Sequence, residues 1–127
     1  MFSHIMLGSN DVARSKIFYD ALFEAIGASS GKLDDHGISY YHNGTAFVVR
    51  PPLDGNSATH GNGSTIGFSL ASPEEVKAWH DAGVGAGGRS VEDPPGVRRN
   101  EFGAMYLAYL RDPDGNKLCG LHRLPSE

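Results

Sequence analysis

Residues 2–27, FSHIMLGSNDVARSKIFYDALFEAIG, decide the fold reading. The apolar run 2–8 predicts a strand, with Ile5 and Leu7 on one face and His4 and Met6 on the other, because side chains alternate along a strand. Ser9-Asn10-Asp11 then predicts a helix start. Asn10 or Ser9 would cap it, and Asp11 would place a negative charge in the first turn, at the positive end of the helix dipole. Phe18, Leu22 and Ile26 stand four apart with Tyr19 and Phe23 beside them, which makes one apolar helical stripe. Lys16 and Asp20 can pair across a turn, and Gly27 supplies a stop.

The same order returns further along. Residues 64–71, STIGFSLA, predict a strand, and Ser72-Pro73-Glu74-Glu75 is a capping box with proline in the first turn. Val76 and Trp79 would face inward before the helix dissolves into Gly83–Gly88. An offset of 61 residues (4 to 65) places His4 on Thr65, Phe18 on Trp79, Asp20 on Asp81 and Gly27 on Gly88. Agreement of strand, cap, helix and glycine stop points to an internal duplication. In the first half ISYYH and TAFVVR flank Asn43-Gly44, a hairpin signal because both residues tolerate positive φ. A weaker stretch, Ala28 to Asp35, can hold one irregular strand. In the second half a short strand near Arg89–Val91 gives way to a predicted loop, EDPPGVRRNEFG. MYLAYLR and NKLCGLHRL then close the chain around Asp112-Pro113-Asp114-Gly115.

The expected fold is therefore α+β: two tandem βαβββ modules forming curved mixed sheets around a cavity, with the helices outside. A single domain spans 1–127, with half-modules at about 1–52 and 64–124 joined by a Pro-, Gly- and Ser-rich linker at about 53–63. One cysteine forbids an internal disulfide and any multi-cysteine zinc or iron–sulfur site. A formal net charge of −4 argues against nucleic acid or a polybasic membrane contact. No apolar run approaches about 18 residues, and the first residues lack a signal-peptide pattern. The expectation is a cytoplasmic protein with no membrane segment.

Each strand has a large apolar face suited to the helices and a smaller, more polar one suited to a cavity. The second kind comprises His4 and Met6, then Ala46, Val48 and Arg50, then Thr65, Gly67 and Ser69. Gly67 would leave room there for a ligand.

The opening SHIMLGSNDVARSKIFYDALFEAIG and the closing YLAYLRDPDGNKLCGLH, with the paired βαβββ plan between them, resemble the vicinal oxygen chelate superfamily. That superfamily includes glyoxalase I, bleomycin-resistance proteins and extradiol dioxygenases. The resemblance implies a pocket between modules or subunits, a homodimer, and in metal-using members four ligands on the first and last strands of each half. Those positions fall here on His4, near Val48, on Thr65 and on Cys119. His4 and a deprotonated Cys119 would give only two donors, where a catalytic metal takes about three, so the expectation is no metal and no cofactor. A divalent ion is possible but disfavoured.

Other residues carry weaker signals. Gly83-x-Gly85-x-x-Gly88 spells a dinucleotide-binding pattern, but it follows a helix instead of opening one, so it reads as a helix exit. Cys119 reads either as a nucleophile or, more in keeping with buried cysteines, as packing. His80 is placed on the solvated side of the second helix, and His122 opposite Cys119, toward the helix layer or the strand end. Arg99 with Arg98 is placed in the long loop at the pocket rim, and Tyr106 in the pocket. The expected ligand-pocket set is thus His4, Val48, Arg50, Thr65, Gly67, Arg99, Tyr106 and Cys119, with His4 the sole catalytic candidate. The expected function is a superfamily protein with a small-molecule pocket and a degraded metal site. The alternatives are a metal-dependent lyase or glyoxalase-type enzyme using His4, and a non-catalytic protein sequestering a planar antibiotic or aromatic metabolite.

Overall fold

The structure is a computed structural model and describes residues 1–125. Its elements run β1 (His4–Gly8), α1 (Val12–Ala25), β2 (Lys32–Asp34), β3 (Gly37–His42), β4 (Thr45–Arg50), β5 (Ile66–Ser69), α2 (Pro73–Gly85), β6 (Arg89–Asn100), β7 (Gly103–Arg111) and β8 (Lys117–Arg123). They form two separate four-stranded mixed sheets, ordered β1-β4-β3-β2 and β5-β8-β7-β6. In each sheet the first strand pairs parallel to the last strand of its module. The two modules are therefore copies of one plan, as the duplication predicts.

Local chemistry starts both helices. Ser72 caps α2 through the Glu75 backbone N–H at 3.1 Å, while the Glu75 carboxylate turns back to the Ala71 N–H. At α1 the cap is Asp11, which accepts from the Arg14 N–H at 3.1 Å, and neither Asn10 nor Ser9 takes that place. Ser9 is buried instead, accepting from the Asp11 N–H and sharing a 2.6 Å hydroxyl contact with Ser15. Asn10 turns away to bond both backbone groups of Ala58, which ties the linker to module one. The Asn43-Gly44 turn forms as predicted, with φ of 51° and 82°.

One apolar core lies between the sheets and the helices. Phe18, Tyr19, Leu22 and Phe23 of α1 meet Val76 and Trp79 of α2, and beneath them lie Ile38, Tyr40, Phe47, Val49, Leu110 and Leu118. Phe68 of module two stands 5.6 Å from Phe47 and 6.0 Å from Phe23 of module one, so aromatic contacts cross the seam. Asp20 braces the edge of module one, accepting from Lys16, the Gly31 N–H and the Tyr40 hydroxyl. Partial burial pushes its carboxyl up, but those three donors outweigh it and hold the group below its ordinary value.

Glycine 83 has a different role from the one its sequence pattern suggests. Helix α2 continues through Gly85, and a Cβ at Gly83 would stand 2.5 Å from Leu110 and 3.0 Å from Leu22. Gly83 thus lets α2 settle against α1 and β7, and the helix exit belongs to the residues after it. Gly87, at φ 103°, makes that exit.

The second module departs from the sequence reading in β6. Arg89–Asn100 is one strand with an irregularity between Val91 and Gly96, where the predicted loop begins. Pro94 and Pro95 have no N–H to give to a ladder, and such residues belong in bulges. The Arg98 guanidinium closes the bulge by donating to the Asp93 and Pro94 carbonyls at 2.9 Å.

The Asp112–Asn116 turn does more than reverse the chain. Asp112 is buried and accepts from the backbone N–H groups of Asp114 and Asn116, from the Asn116 amide and from the Tyr19 hydroxyl at 2.5 Å. Asp114 reaches the Asn10 N–H, the Arg14 guanidinium and the Ser15 hydroxyl. Asn116 also donates to the Gly8 carbonyl. The turn of module two is therefore a polar clamp on the start of α1, and its charges are matched by donors on the opposite module.

Candidate functional site

Strand register assigns each predicted site residue to a face. His4, Met6 and Gly8 stand level with Ala46, Val48 and Arg50, on the face of the first sheet that carries no helix. Gly67 stands level with Cys119, which stands level with Tyr109, on the corresponding face of the second sheet. Thr65 lies just before β5 and is exposed. The structure thus gathers His4, Val48 and Arg50 on one sheet, and Gly67 and Cys119 on the other.

Arg99 and Tyr106 fall elsewhere. Arg99 pairs with Ala104, and Tyr106 with His122 and Val97, on the parity of the helix-facing Ala108 and Leu110. The residues that share the parity of Cys119 are Arg98 and Tyr109. The hairpin register, fixed by a turn whose length the sequence leaves open, shifts the aromatic from Tyr106 to Tyr109. For Arg99 the cause is that the segment is a strand and has a strand's alternation. His122 does face the helix side, where its ring bonds the Leu70 carbonyl at 2.9 Å. His80 is a correction: it is 8% exposed and bonds Ser90 at 2.8 Å, with the Asp81 carboxylate on its other nitrogen at 3.2 Å. It ties α2 to β6, because that helix face packs against the sheet.

Around Cys119 the second sheet carries a small apolar cluster, with Met105 and Leu107 buried and Tyr109 and Leu121 packed against them. Burial raises the Cys119 thiol to about 11, although the neighbouring Tyr109 works in the other direction. At neutral pH this sulfur is a protonated, packed thiol, a poor nucleophile and a poor metal donor. Lys117 lies 4.7 Å from the centre of the Tyr109 ring and pairs with Glu92.

Two adjoining cavities open along β1. One, of about 360 Å³, is lined by Met6, Leu7, Gly8 and Arg50 and walled by the chain from Pro51 to Thr59. The other, of about 200 Å³, shares Met6, Leu7, Gly8 and Thr59 and continues to Ser64, Ile66 and Lys117 in module two. The linker, which the sequence presents only as a flexible connection, is thus a wall of the site. A Cβ at Gly8 would come within 2.9 Å of Ala58, so the glycine lets that wall approach. A third cleft, of about 240 Å³, lies at the other end of the seam and is lined mainly by Phe2, Ile5, Phe23, Phe47, Ile66 and Phe68. Gly67 reaches this cleft, and a Cβ there would meet nothing within 4 Å. Arg99 lines a separate depression with Phe102 and Arg123.

The fold's metal positions can be tested by donor chemistry. His4 is exposed, with a ring nitrogen 2.8 Å from the Ser3 hydroxyl. Val48 offers no donor, Thr65 only a hydroxyl, and Cys119 a protonated thiol. Among the described residues no three His, Cys, Asp or Glu side chains come together where they could hold an ion. These residues do not fit a divalent metal.

Residues 1–119 match the family described as Glyoxalase/Bleomycin resistance protein/Dioxygenase superfamily. Among solved structures, a glyoxalase/bleomycin resistance protein from Albidiferax ferrireducens T118 is 50% identical and superposes with a TM-score of 0.94, covering 97% of this chain and 99% of that one. A glyoxalase/bleomycin resistance protein/dioxygenase family enzyme from Burkholderia phytofirmans PsJN is 17% identical, with a TM-score of 0.74 over 96% and 98% of the two chains. A lactoylglutathione lyase from Agrobacterium tumefaciens is 18% identical, with a TM-score of 0.67 over 96% and 92%. The last two share the fold. No curated protein matches the sequence.

Proposed function

The chain belongs to the glyoxalase/bleomycin resistance protein/dioxygenase superfamily, and on that premise we propose that it holds a small organic molecule on the helix-free side of its sheets without a divalent metal. The observation that carries this reading is the pairing of an unfit donor set with intact space. His4, Val48, Thr65 and Cys119 supply one imidazole and a protonated thiol, while the adjoining cavities beside Met6 and Gly8 keep about 360 and 200 Å³. A ligand there would be bound by shape, by apolar contact with Met6 and by hydrogen bonds from Arg50. His4 lies exposed beside Ser3 at the start of β1, outside both cavities.

A thermal-shift screen of small organic molecules, run with and without a chelator, tests the proposal. Saturable stabilisation that persists in the chelator supports it. A ligand effect that the chelator abolishes would favour the metal-dependent lyase or glyoxalase-type alternative.

One observation favours a second reading, sequestration of a planar aromatic molecule. The cleft walled by Phe2, Phe23, Phe47 and Phe68 offers ring faces and edges on both modules. Trp79 lies 5.8 Å behind Phe68, so an aromatic ligand in this cleft should change tryptophan emission. Among the described residues no helix is long and apolar enough to cross a membrane. A cytoplasmic location accords with the single free cysteine. The reading includes a homodimer, for which sedimentation velocity is the test.

A further inference from the structure

Three arginines find partners, and half-buried Arg50 does not. Arg14 meets Asp114, Arg98 meets the Asp93 and Pro94 carbonyls, and Arg111 donates to the Gly115 carbonyl at 2.7 Å. Arg50 is half-buried, and among the described residues its guanidinium has neither a hydrogen-bond partner nor an ion pair, with its Nε shut off from solvent. A guanidinium carries five N–H donors and stays charged at any physiological pH. Nε lies beyond a ligand's reach, while the two Nη nitrogens, equally without partners, are not shut off from solvent and are the donors an acceptor in the cavity can meet. The other buried nitrogen without a partner, on Trp79, sits in the apolar core, whereas Arg50 opens on the cavity of about 360 Å³.

The cavity around Arg50 defines what that acceptor would belong to. Met6, Pro52 and Leu53 give it apolar walls, and Ser57 and Thr59 border the same space. Asp54 also borders it, with a carboxylate oxygen already accepting from the Asn56 N–H. One cation beside one anion, in a chain of net charge −4, suits a monoanion better than a dianion. A carboxylate is the planar monoanion that a guanidinium fork receives through two parallel bonds.

We propose that Arg50 is the receptor for the carboxylate of a small organic acid, whose apolar body lies along Met6 and Pro52 beneath the Pro51–Thr59 wall. This rests on the metal-independent reading above and adds the ligand class. Neither the metal positions nor the aromatic cleft enters into it.

The test is titration of the isotope-labelled protein with benzoate, followed by backbone amide resonances, with benzamide and benzyl alcohol as neutral analogues of the same shape. Benzoate should move the signals of Gly8 and of Ser57 to Thr59 saturably. Benzamide should bind about tenfold more weakly or worse, as expected for losing a charge-assisted pair. Arg50→Gln should lose the same factor, and Arg50→Lys should recover part of it, with unchanged circular dichroism in both. Equal binding by benzamide, or undiminished benzoate binding in Arg50→Gln, would overturn the proposal. So would the failure of acetate, propionate and benzoate alike to move those signals. Should Arg50→Gln fail to fold, the benzoate and benzamide comparison on the native chain decides alone. Neutral compounds binding in the presence of chelator while carboxylates do not would reject this inference and leave the metal-independent reading standing.

Discussion

Replacing Tyr19 with phenylalanine removes one oxygen from the clamp between the modules. In the native chain that hydroxyl donates to buried Asp112 at 2.5 Å, across from α1 of module one to the β7–β8 turn of module two. Burial and then the Asp112 charge raise the Tyr19 hydroxyl well above its ordinary value, so it is a donor throughout the working pH range. Asp112 keeps the Asn116 amide and two backbone N–H groups in the variant, so the carboxylate is weakened in its contacts but not orphaned. A buried hydrogen bond to a charged acceptor contributes about 1.5–3 kcal/mol, and the middle of that range, about 2 kcal/mol, is the expected loss. An unfolding entropy of about 2.1 cal/mol/K per residue makes that a fall of about 7 °C in Tm for a chain of 127 residues. Urea unfolding followed by Trp79 emission should show a lower midpoint with an unchanged slope, because the modules still unfold together. Tyr41→Phe, at an exposed ring, is the control and should change little. A loss below about 0.5 kcal/mol for Tyr19→Phe, the range of ordinary surface substitutions, would refute the clamp.

Gly83→Ala and Gly85→Ala should have opposite signs. The first drives a methyl to 2.5 Å from Leu110 and should cost about 1–3 kcal/mol by overpacking. The second meets nothing within 4 Å and should gain about 0.5–1 kcal/mol of helix propensity; urea midpoints of the pair decide it. With its thiol raised to about 11 from 9.0, Cys119 should react with iodoacetamide about a hundredfold more slowly at pH 8 than an unperturbed thiol. The folded state keeps that proton longer than the unfolded chain, so its contribution to stability is full below about pH 9 and falls away as pH rises toward 11. Denaturation midpoints between pH 8 and 11 check the sign. Ser72→Ala should cost about 1 kcal/mol through loss of the α2 cap, read in the same assay.

The elements that local chemistry dictates were readable before the structure. Ser72-Pro73 opens α2, Asn43-Gly44 turns β3 into β4, and the alternation of Phe47 and Val49 against Val48 and Arg50 sorts the faces of β4. What stayed hidden depends on partners distant in sequence. Strand β6 looks like a loop because Pro94 and Pro95 disguise a bulge that Arg98 closes. Tyr109, and not Tyr106, joins Cys119 because the pairing register sets parity, which no single strand reveals. His80 looks solvated beside Asp81 until β6 is laid against it. The wall of the Arg50 cavity comes from a linker whose anchoring needs Asn10, some 50 residues earlier, to bond Ala58. The Asp112 turn signals a hairpin by its residue types, whereas its clamping of Tyr19 is a tertiary fact.

In the proposed reading His4, Val48, Thr65 and Cys119 do not hold a metal. Elemental analysis of untagged protein, purified without chelator and then dialysed against nickel, zinc, manganese and magnesium in turn, measures it directly. The expected result is far less than one ion per chain for every metal, with the same trace in His4→Ala. One tightly held ion per native chain, lost in His4→Ala, would contradict it.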